Sequence, residues 1–263
     1  MTANREYQLA DGRVVMLRLA GPGDVPTITR LYLELSPESF YSRFNTDRPG
    51  PALVAQLASF GTDDACLVAT APADPGRMVA EARYVPIAPG TAELALTVAD
   101  RYQGTGLGRI LLDALVERAR AEGLGRLRAV VLLANTPMLR LLQHYGWALA
   151  APTEDFSVAF LEISAVGGMP GWPERSAGRR VLVERRNWFD DRQVAALRSA
   201  GNDVRQCTGP RRDTGRACPL VTSGYCRLAA EADLIVNLLP GDEPDCTAVL
   251  AAHRHRWPHR VAE

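Results

Sequence analysis

Residues 93–108, Glu-Leu-Ala-Leu-Thr-Val-Ala-Asp-Arg-Tyr-Gln-Gly-Thr-Gly-Leu-Gly, constrain the fold more than any other stretch of this chain. Ala92, Leu94, Leu96 and Val98 alternate with Glu93, Ala95 and Thr97, which predicts a strand with one apolar face. The alternation stops at Ala99-Asp100, and a glycine-rich turn follows. From Leu107 the apolar period becomes helical, with Leu107, Ile110, Leu111, Ala114 and Leu115 on one side. Strand, glycine turn and helix in that order form an anion site. Glycine lets the backbone approach a ligand closely, and the first helical amides point at it with the positive end of the dipole behind them. The expected guest is a cofactor that carries phosphate.

The turn itself reads Gln103-Gly104-Thr105-Gly106-Leu107-Gly108. No Gly-Lys-Ser/Thr follows, so it is not a Walker loop. The dinucleotide spacing Gly-x-Gly-x-x-Gly also fails, because its third glycine would fall on Arg109. The pattern that fits is Gln-x-x-Gly-x-Gly, which resembles the acetyl-coenzyme A loop of the GNAT acyltransferase superfamily. The resemblance runs from about Val14 to Ile163. It implies an α+β GNAT acyltransferase fold, a mixed central sheet with flanking helices. It also implies that Gln103, Gly104, Thr105, Gly106, Leu107, Gly108 and Arg109 hold the pyrophosphate of acetyl-coenzyme A, and that Leu96, Thr97 and Val98 pair with its pantetheine and thioester. Asn135 opens a helix after the strand 127–133, and Gly146-Trp147 closes it. This looks like the family's second conserved segment, whose Asn contacts the pantetheine arm. The segment Ser36-Pro37-Glu38-Ser39-Phe40-Tyr41-Ser42-Arg43-Phe44 is similar to one near the start of bacterial protein lysine acetyltransferases of the Pat type. That likeness makes Tyr41, Arg43 and Phe44 candidates for acceptor contacts, with helix packing as the competing role of the aromatic rings.

Transfer of an acyl group from a thioester to an amine requires a base for the ammonium proton and donors for the developing oxyanion. The Pat-type resemblance places the catalytic glutamate at Glu93, on the non-core face of the central strand. Without the resemblance Glu93 reads as a solvated strand carboxylate. The backbone amides of Thr97 and Val98 are the expected oxyanion donors. Many GNAT enzymes carry a tyrosine acid seven residues after the helix-opening Asn; here that position is Leu142, with His144 and Tyr145 nearby, so no general acid is carried over. Cys66, inside an expected strand, is the alternative nucleophile of a ping-pong route, a weaker reading because no His is near it in sequence.

The chain has 263 residues, 47% of them hydrophobic, and 30 basic against 30 acidic side chains. Zero formal charge argues against nucleic-acid or membrane-surface binding carried by bulk charge. Every basic residue other than histidine is arginine; lysine is absent, so the chain offers no lysine side chain to its own chemistry. No signal peptide or apolar run of membrane-spanning length is visible, and the five scattered cysteines fit a reducing cytoplasm. The expected organisation is a GNAT domain over 1–165, a Gly/Pro-rich linker over 166–178 and a small α/β domain over 179–263. In the last part, strands at 180–184, 203–207 and 234–239 alternate with helices at 190–200, 225–232 and 245–253. Cys207, Cys218, Cys226 and Cys246 lie there without zinc-ribbon spacing, and neither a metal site with His253 and His255 nor a Cys218–Cys226 disulfide is preferred over buried, inert thiols. The leading functional expectation is an acetyl-coenzyme A-dependent N-acetyltransferase acting on a protein lysine, without metal. A small-molecule amine acetyltransferase and a weakly catalytic acyl-coenzyme A sensor that controls the C-terminal domain are the alternatives.

Overall fold

The computed structural model describes residues 4–61, 64–132, 134–143, 145, 148–150, 158–165, 171–172, 178–185, 192–210 and 217–262. The chain divides into two compact units, Met1–Leu132 and Leu133–Glu263.

The first unit runs β1 (Arg5–Gln8), β2 (Val14–Leu19), α1 (Val25–Leu33), α2 (Pro37–Phe44), α3 (Pro51–Ala58), β3 (Ala65–Ala71), β4 (Asp74–Ala88), β5 (Thr91–Val98), α4 (Leu107–Ala121) and β6 (Arg126–Leu132). Its sheet follows chain order from β1 to β6, antiparallel as far as β5 and parallel between β5 and β6. The edge strand β1 is not expected from the sequence, because Arg-Glu-Tyr-Gln carries no apolar alternation.

Alternation on β4 and β5 sorts the two faces. The register sets Glu81 opposite Thr97, Arg83 opposite Ala95 and Val85 opposite Glu93, so these six residues share a face. Helices α1–α3 cover that face. Ile28, Leu31 and Tyr32, spaced for one side of α1, join Phe40, Val54, Cys66 and Val68 in its core. On the opposite face α4 buries Leu107, Leu111, Leu112, Leu115, Val116 and Ala119 and packs against β4 and β5. Each fully buried leucine there contributes about 2 kcal/mol. Local chemistry sets the helix ends. Ser36 caps α2 by accepting from the Ser39 amide at 3.2 Å, with Pro37 in the first turn.

The second unit contains α5 (Thr136–Gln143), β7 (Ala148–Ala150), β8 (Val158–Ser164), β9 (Arg180–Glu184), α6 (Arg192–Ser199), β10 (Asp203–Cys207), α7 (Pro219–Ser223), α8 (Arg227–Ala230), β11 (Leu234–Asn237), α9 (Pro244–Arg256) and β12 (Val261–Ala262). Its strands lie in the order β8-β7-β10-β9-β11-β12. β7 pairs antiparallel with β8 and with β10, while β10, β9, β11 and β12 are mutually parallel. The strand–helix–strand pattern expected for the last part is therefore a parallel sheet, with α7 and β12 added. Gly224, at φ 74°, ends α7 ahead of the separate α8. Most of the stretch expected as a linker lies outside the described residues. Within it Trp172 is buried, its indole N–H donating to the Leu228 carbonyl at 2.8 Å.

Candidate functional site

β5 and β6 pair at Thr91–Arg126, Ala92–Leu127 and Glu93–Arg128, and at no later position among the described residues. Both strands continue, β5 to Val98 and β6 to Leu132. A wedge therefore opens beyond Glu93, and one backbone edge of Leu94–Val98 faces it without a strand partner. Of Leu96, Thr97 and Val98, expected to pair with an extended ligand, Leu96 and Val98 turn their backbone groups to this edge, whereas those of Thr97 face β4. An extended amide chain can add there as a strand would.

The glycine turn stands at the head of the wedge. Gly104 and Gly106 have φ of 72° and 88°, a region that side chains enter only with strain. The turn so formed leaves the amides of Gly104, Thr105, Gly106, Leu107 and Gly108 without an acceptor among the described residues. The Thr105 hydroxyl donates to the Tyr102 carbonyl at 2.7 Å, and the Thr105 carbonyl accepts from the Ala10 amide at 3.0 Å. Both bonds hold the turn open. Consecutive free amides on the N-terminus of the fifteen-residue α4 fit a pyrophosphate. Arg109, half-exposed and 3.6 Å from Asp113, stands beside them.

Gln103 behaves differently from the rest of the turn. Its side-chain amide donates to Ser39 Oγ at 3.0 Å and to the Val98 carbonyl at 3.2 Å. Asp100 joins the same cluster, accepting from the Ser36 amide at 2.9 Å, Ser36 Oγ at 2.8 Å and Ser39 Oγ at 2.5 Å. Burial pushes the Asp100 carboxyl up, but these hydrogen bonds outweigh it and hold the group below the usual aspartate range. The cluster clasps α2 to the glycine turn. From sequence, Ser36 and Ser39 carry only the Pat-type likeness of residues 36–44, and Asp100 only the end of the strand.

Arg43, on the last turn of α2, donates from Nε to Thr97 Oγ1 at 3.1 Å, and its guanidinium lies 4.6 Å from the Phe44 ring centre. Phe44 packs edge-on against Tyr32. Tyr41 is exposed. Of the three expected acceptor contacts, Arg43 reaches the wedge strand, Phe44 supports it from the core side, and Tyr41 faces solvent.

Glu93 is half-exposed at the point where β5 and β6 part, and its Oε2 accepts from Arg128 Nη2 at 2.7 Å. It shares a face with Thr97, four residues or about 13 Å further along the strand. A second carboxylate, not singled out from the sequence, lies nearer. Glu81, directly across from Thr97, is fully buried. It is paired to Arg83, accepts from the Tyr32 hydroxyl at 2.9 Å and lies 3.7 Å from Cys66 Sγ. Arg83 in turn donates to the Ser59 and Ala58 carbonyls at 2.8 and 3.2 Å, at the C-terminal end of α3. Burial, with Glu81 beside it, pushes the Cys66 thiol far above its ordinary range, which disfavours a thiolate nucleophile.

In the second unit Asn135 caps α5, its Oδ1 accepting from the Met138 amide at 3.1 Å. Leu142 is buried, so the position of the tyrosine acid belongs to the core. His144, Gly146 and Trp147 lie outside the described residues. No disulfide joins the cysteines among the described residues. Cys207, Cys218 and Cys226 line one small cavity with Glu184 and His253. Burial and the neighbouring Cys207 push Cys218 up to about 11, and burial first pushes Cys226 to about 12. Among the described residues no group of three or more His, Cys, Asp or Glu side chains is arranged to hold a metal ion. No described helix is long and apolar enough to cross a membrane.

The sequence model of the acetyltransferase (GNAT) family matches residues 28–147. Acetyltransferase Pat of Mycolicibacterium smegmatis is 33% identical over 187 residues, which cover 66% of this chain and 55% of that protein. An acetyltransferase of Pseudomonas aeruginosa is 31% identical over 144 residues, covering 53% of this chain and 77% of that protein. Among solved structures, the GNAT domain of S. lividans PAT superposes with a TM-score of 0.54 at 29% identity, over 61% of this chain and 96% of that domain. The chain thus spans about half the length of its M. smegmatis relative.

Proposed function

This chain belongs to the GNAT family of acetyltransferases, and we propose that it acetylates a protein lysine from acetyl-coenzyme A by direct attack in a ternary complex, with Glu93 as general base. One observation carries the cofactor assignment: among the described residues, a strand edge left unpaired where β5 and β6 part leads into five consecutive amides without an acceptor. The edge suits the amides of pantetheine and the turn suits a pyrophosphate. Acetyl-coenzyme A supplies an activated acetyl group whose leaving thiolate is a fair one.

The remaining work falls to the chain. Glu93 takes the ammonium proton through a chain of waters spanning the distance from the Thr97 end of the strand, because a protonated amine has no lone pair. To do so its carboxylate must release or share Arg128. The amine nitrogen then bonds to the acetyl carbon, the carbon–sulfur bond breaks, and the proton that the nitrogen sheds passes to the leaving thiolate. The amide of Val98, which faces the open edge, stabilises the oxyanion that forms between the first two of those events, while the Thr97 amide faces β4. The lysine acceptor is supported by the Pat-type likeness of residues 36–44 and 93–108 and by α2, the segment that carries it, being clasped to the cofactor turn.

The test follows thiol release from acetyl-coenzyme A with protein and small-amine acceptors. E93Q is expected to lower kcat by roughly 100-fold or more while cofactor affinity stays within about twofold. Unchanged kcat in E93Q removes the base assignment. Turnover of small amines alone removes the protein acceptor.

A further inference from the structure

Arginine is the chain's only strong cation, and in the first unit its pairing is the rule. Arg18 grips Asp24 through two 2.7 Å bonds, Arg77 meets Glu34 at 2.8 Å, Arg83 meets Glu81, and Arg128 meets Glu93 at 2.7 Å. Arg43 departs from it, as do Arg30, Arg48 and Arg101 among the described residues, but those three are exposed and Arg43 is not. Its hydrogen bond to Thr97 uses Nε alone. Neither Nη1 nor Nη2 has a hydrogen-bond or ion-pair partner among the described residues. The side chain is nonetheless half-buried, and its orientation is fixed from two sides. The Phe44 ring lies against the guanidinium, and Thr97 holds Nε. Ser39, one helical turn earlier on the same face of α2, is bound to Asp100 and Gln103. The helix therefore cannot rotate the cation away from β5 without breaking the clasp.

A fixed guanidinium with two parallel donors free is built for a carboxylate, which takes both at once. The cofactor's pyrophosphate is assigned to the amides of 104–108, further along the chain. The charge beside Thr97 is then left for the acceptor, on the α1–α3 face from which the amine would arrive.

We propose that Arg43 reads a carboxylate on the acceptor, so that the enzyme selects lysines with an aspartate or glutamate beside them. This rests on the protein-lysine reading given above. Attraction is half of the selection. A lysine flanked by arginine brings a second cation toward an uncompensated one, so basic neighbours are rejected. Arg43 acts here as a specificity residue, and its effect belongs in KM.

The experiment measures kcat and KM for the full chain on three lysine peptides that differ only in the flanking residue: glutamate, glutamine or arginine. The wild type is expected to favour the glutamate peptide over the glutamine peptide by about tenfold in kcat/KM, carried by KM, with the arginine peptide poorest. In R43Q the glutamate-to-glutamine ratio falls to about one. In R43E the order inverts, so that the arginine peptide becomes the best of the three; this gain separates a reading role from damage to the fold. Equal use of the three peptides by the wild type overturns the inference and leaves the protein-lysine reading standing. A uniform fall in kcat for all peptides in R43Q, with the ratio kept, also overturns it. Turnover of small amines with none of the peptides removes the protein-lysine reading itself, and the inference with it.

Discussion

Glu81 and Glu93 stand on the same face of neighbouring strands, and their surroundings give them different work. Glu81 is fully buried and locked to Arg83 and Tyr32, and Arg83 in turn caps the end of α3. It ties helices to the sheet. Losing one partner of a buried pair leaves the other charge uncompensated, so E81Q is expected to cost about 3 kcal/mol of stability, read as a lower denaturant midpoint. E93Q, at a half-exposed position, is expected to shift that midpoint by less than about 1 kcal/mol while lowering kcat. The reverse pattern, a stable E81Q and an unfolded E93Q, would exchange the two roles. Sequence could single out Glu93 because a recognisable loop follows it. It could not single out Glu81. The glutamate and arginine at 81 and 83 read as two polar residues on a strand, and their partners come from chain as distant as 51 residues.

The turn, the clasp and the unpaired strand edge differ in how much of each the sequence carried. The glycine turn was legible because its geometry needs residue types with few alternatives. Neither Gly104 nor Gly106 has any atom within 4 Å of where a Cβ would sit, so space does not exclude a side chain there; backbone conformation does. G106A is therefore expected to cost about 1 kcal/mol through φ alone and to weaken acetyl-coenzyme A binding by tilting the free amides. An unchanged cofactor affinity in a folded G106A would argue against those amides as ligands. The clasp was not legible, since hydrogen bonds from Ser36 and Ser39 to Asp100 depend on two elements meeting. Its pH behaviour follows from Asp100. A carboxyl held below its unfolded value contributes stability that is present above about 3.9 and is lost as pH falls through the lower folded value. The rate between pH 5 and 9 should show no inflection from Asp100, whereas D100N should raise the acceptor KM several-fold at every pH in that range. An inflection near neutrality that disappears in D100N would contradict this.

At the scale of the molecule, the alternation of strand and helix in the last part was readable, and the β7–β10 pairing was not. Three-residue β7 gives almost no periodic signal, yet it pairs with β8 on one side and with β10, from the parallel sheet, on the other. Ending the chain at 165 would strip β7 of β10 and expose a strand edge. The 1–165 fragment is expected to melt lower and to aggregate sooner than the full chain, seen by thermal denaturation and light scattering; equal melting would show that β10 adds nothing. The same fragment tests whether residues 179–263 regulate the reaction: if they do, its kcat under conditions where it stays folded differs from that of the full chain. The central claim, that the cofactor lies in the wedge between β5 and β6 with its pyrophosphate on the turn, has one direct measurement. Hydrogen exchange of the amides of Gly104–Gly108 should be fast in the free protein, because they have no acceptor among the described residues, and strongly slowed by acetyl-coenzyme A, with protection extending to Leu96 and Val98. Cofactor binding that leaves the 104–108 amides exchanging as before would contradict the account.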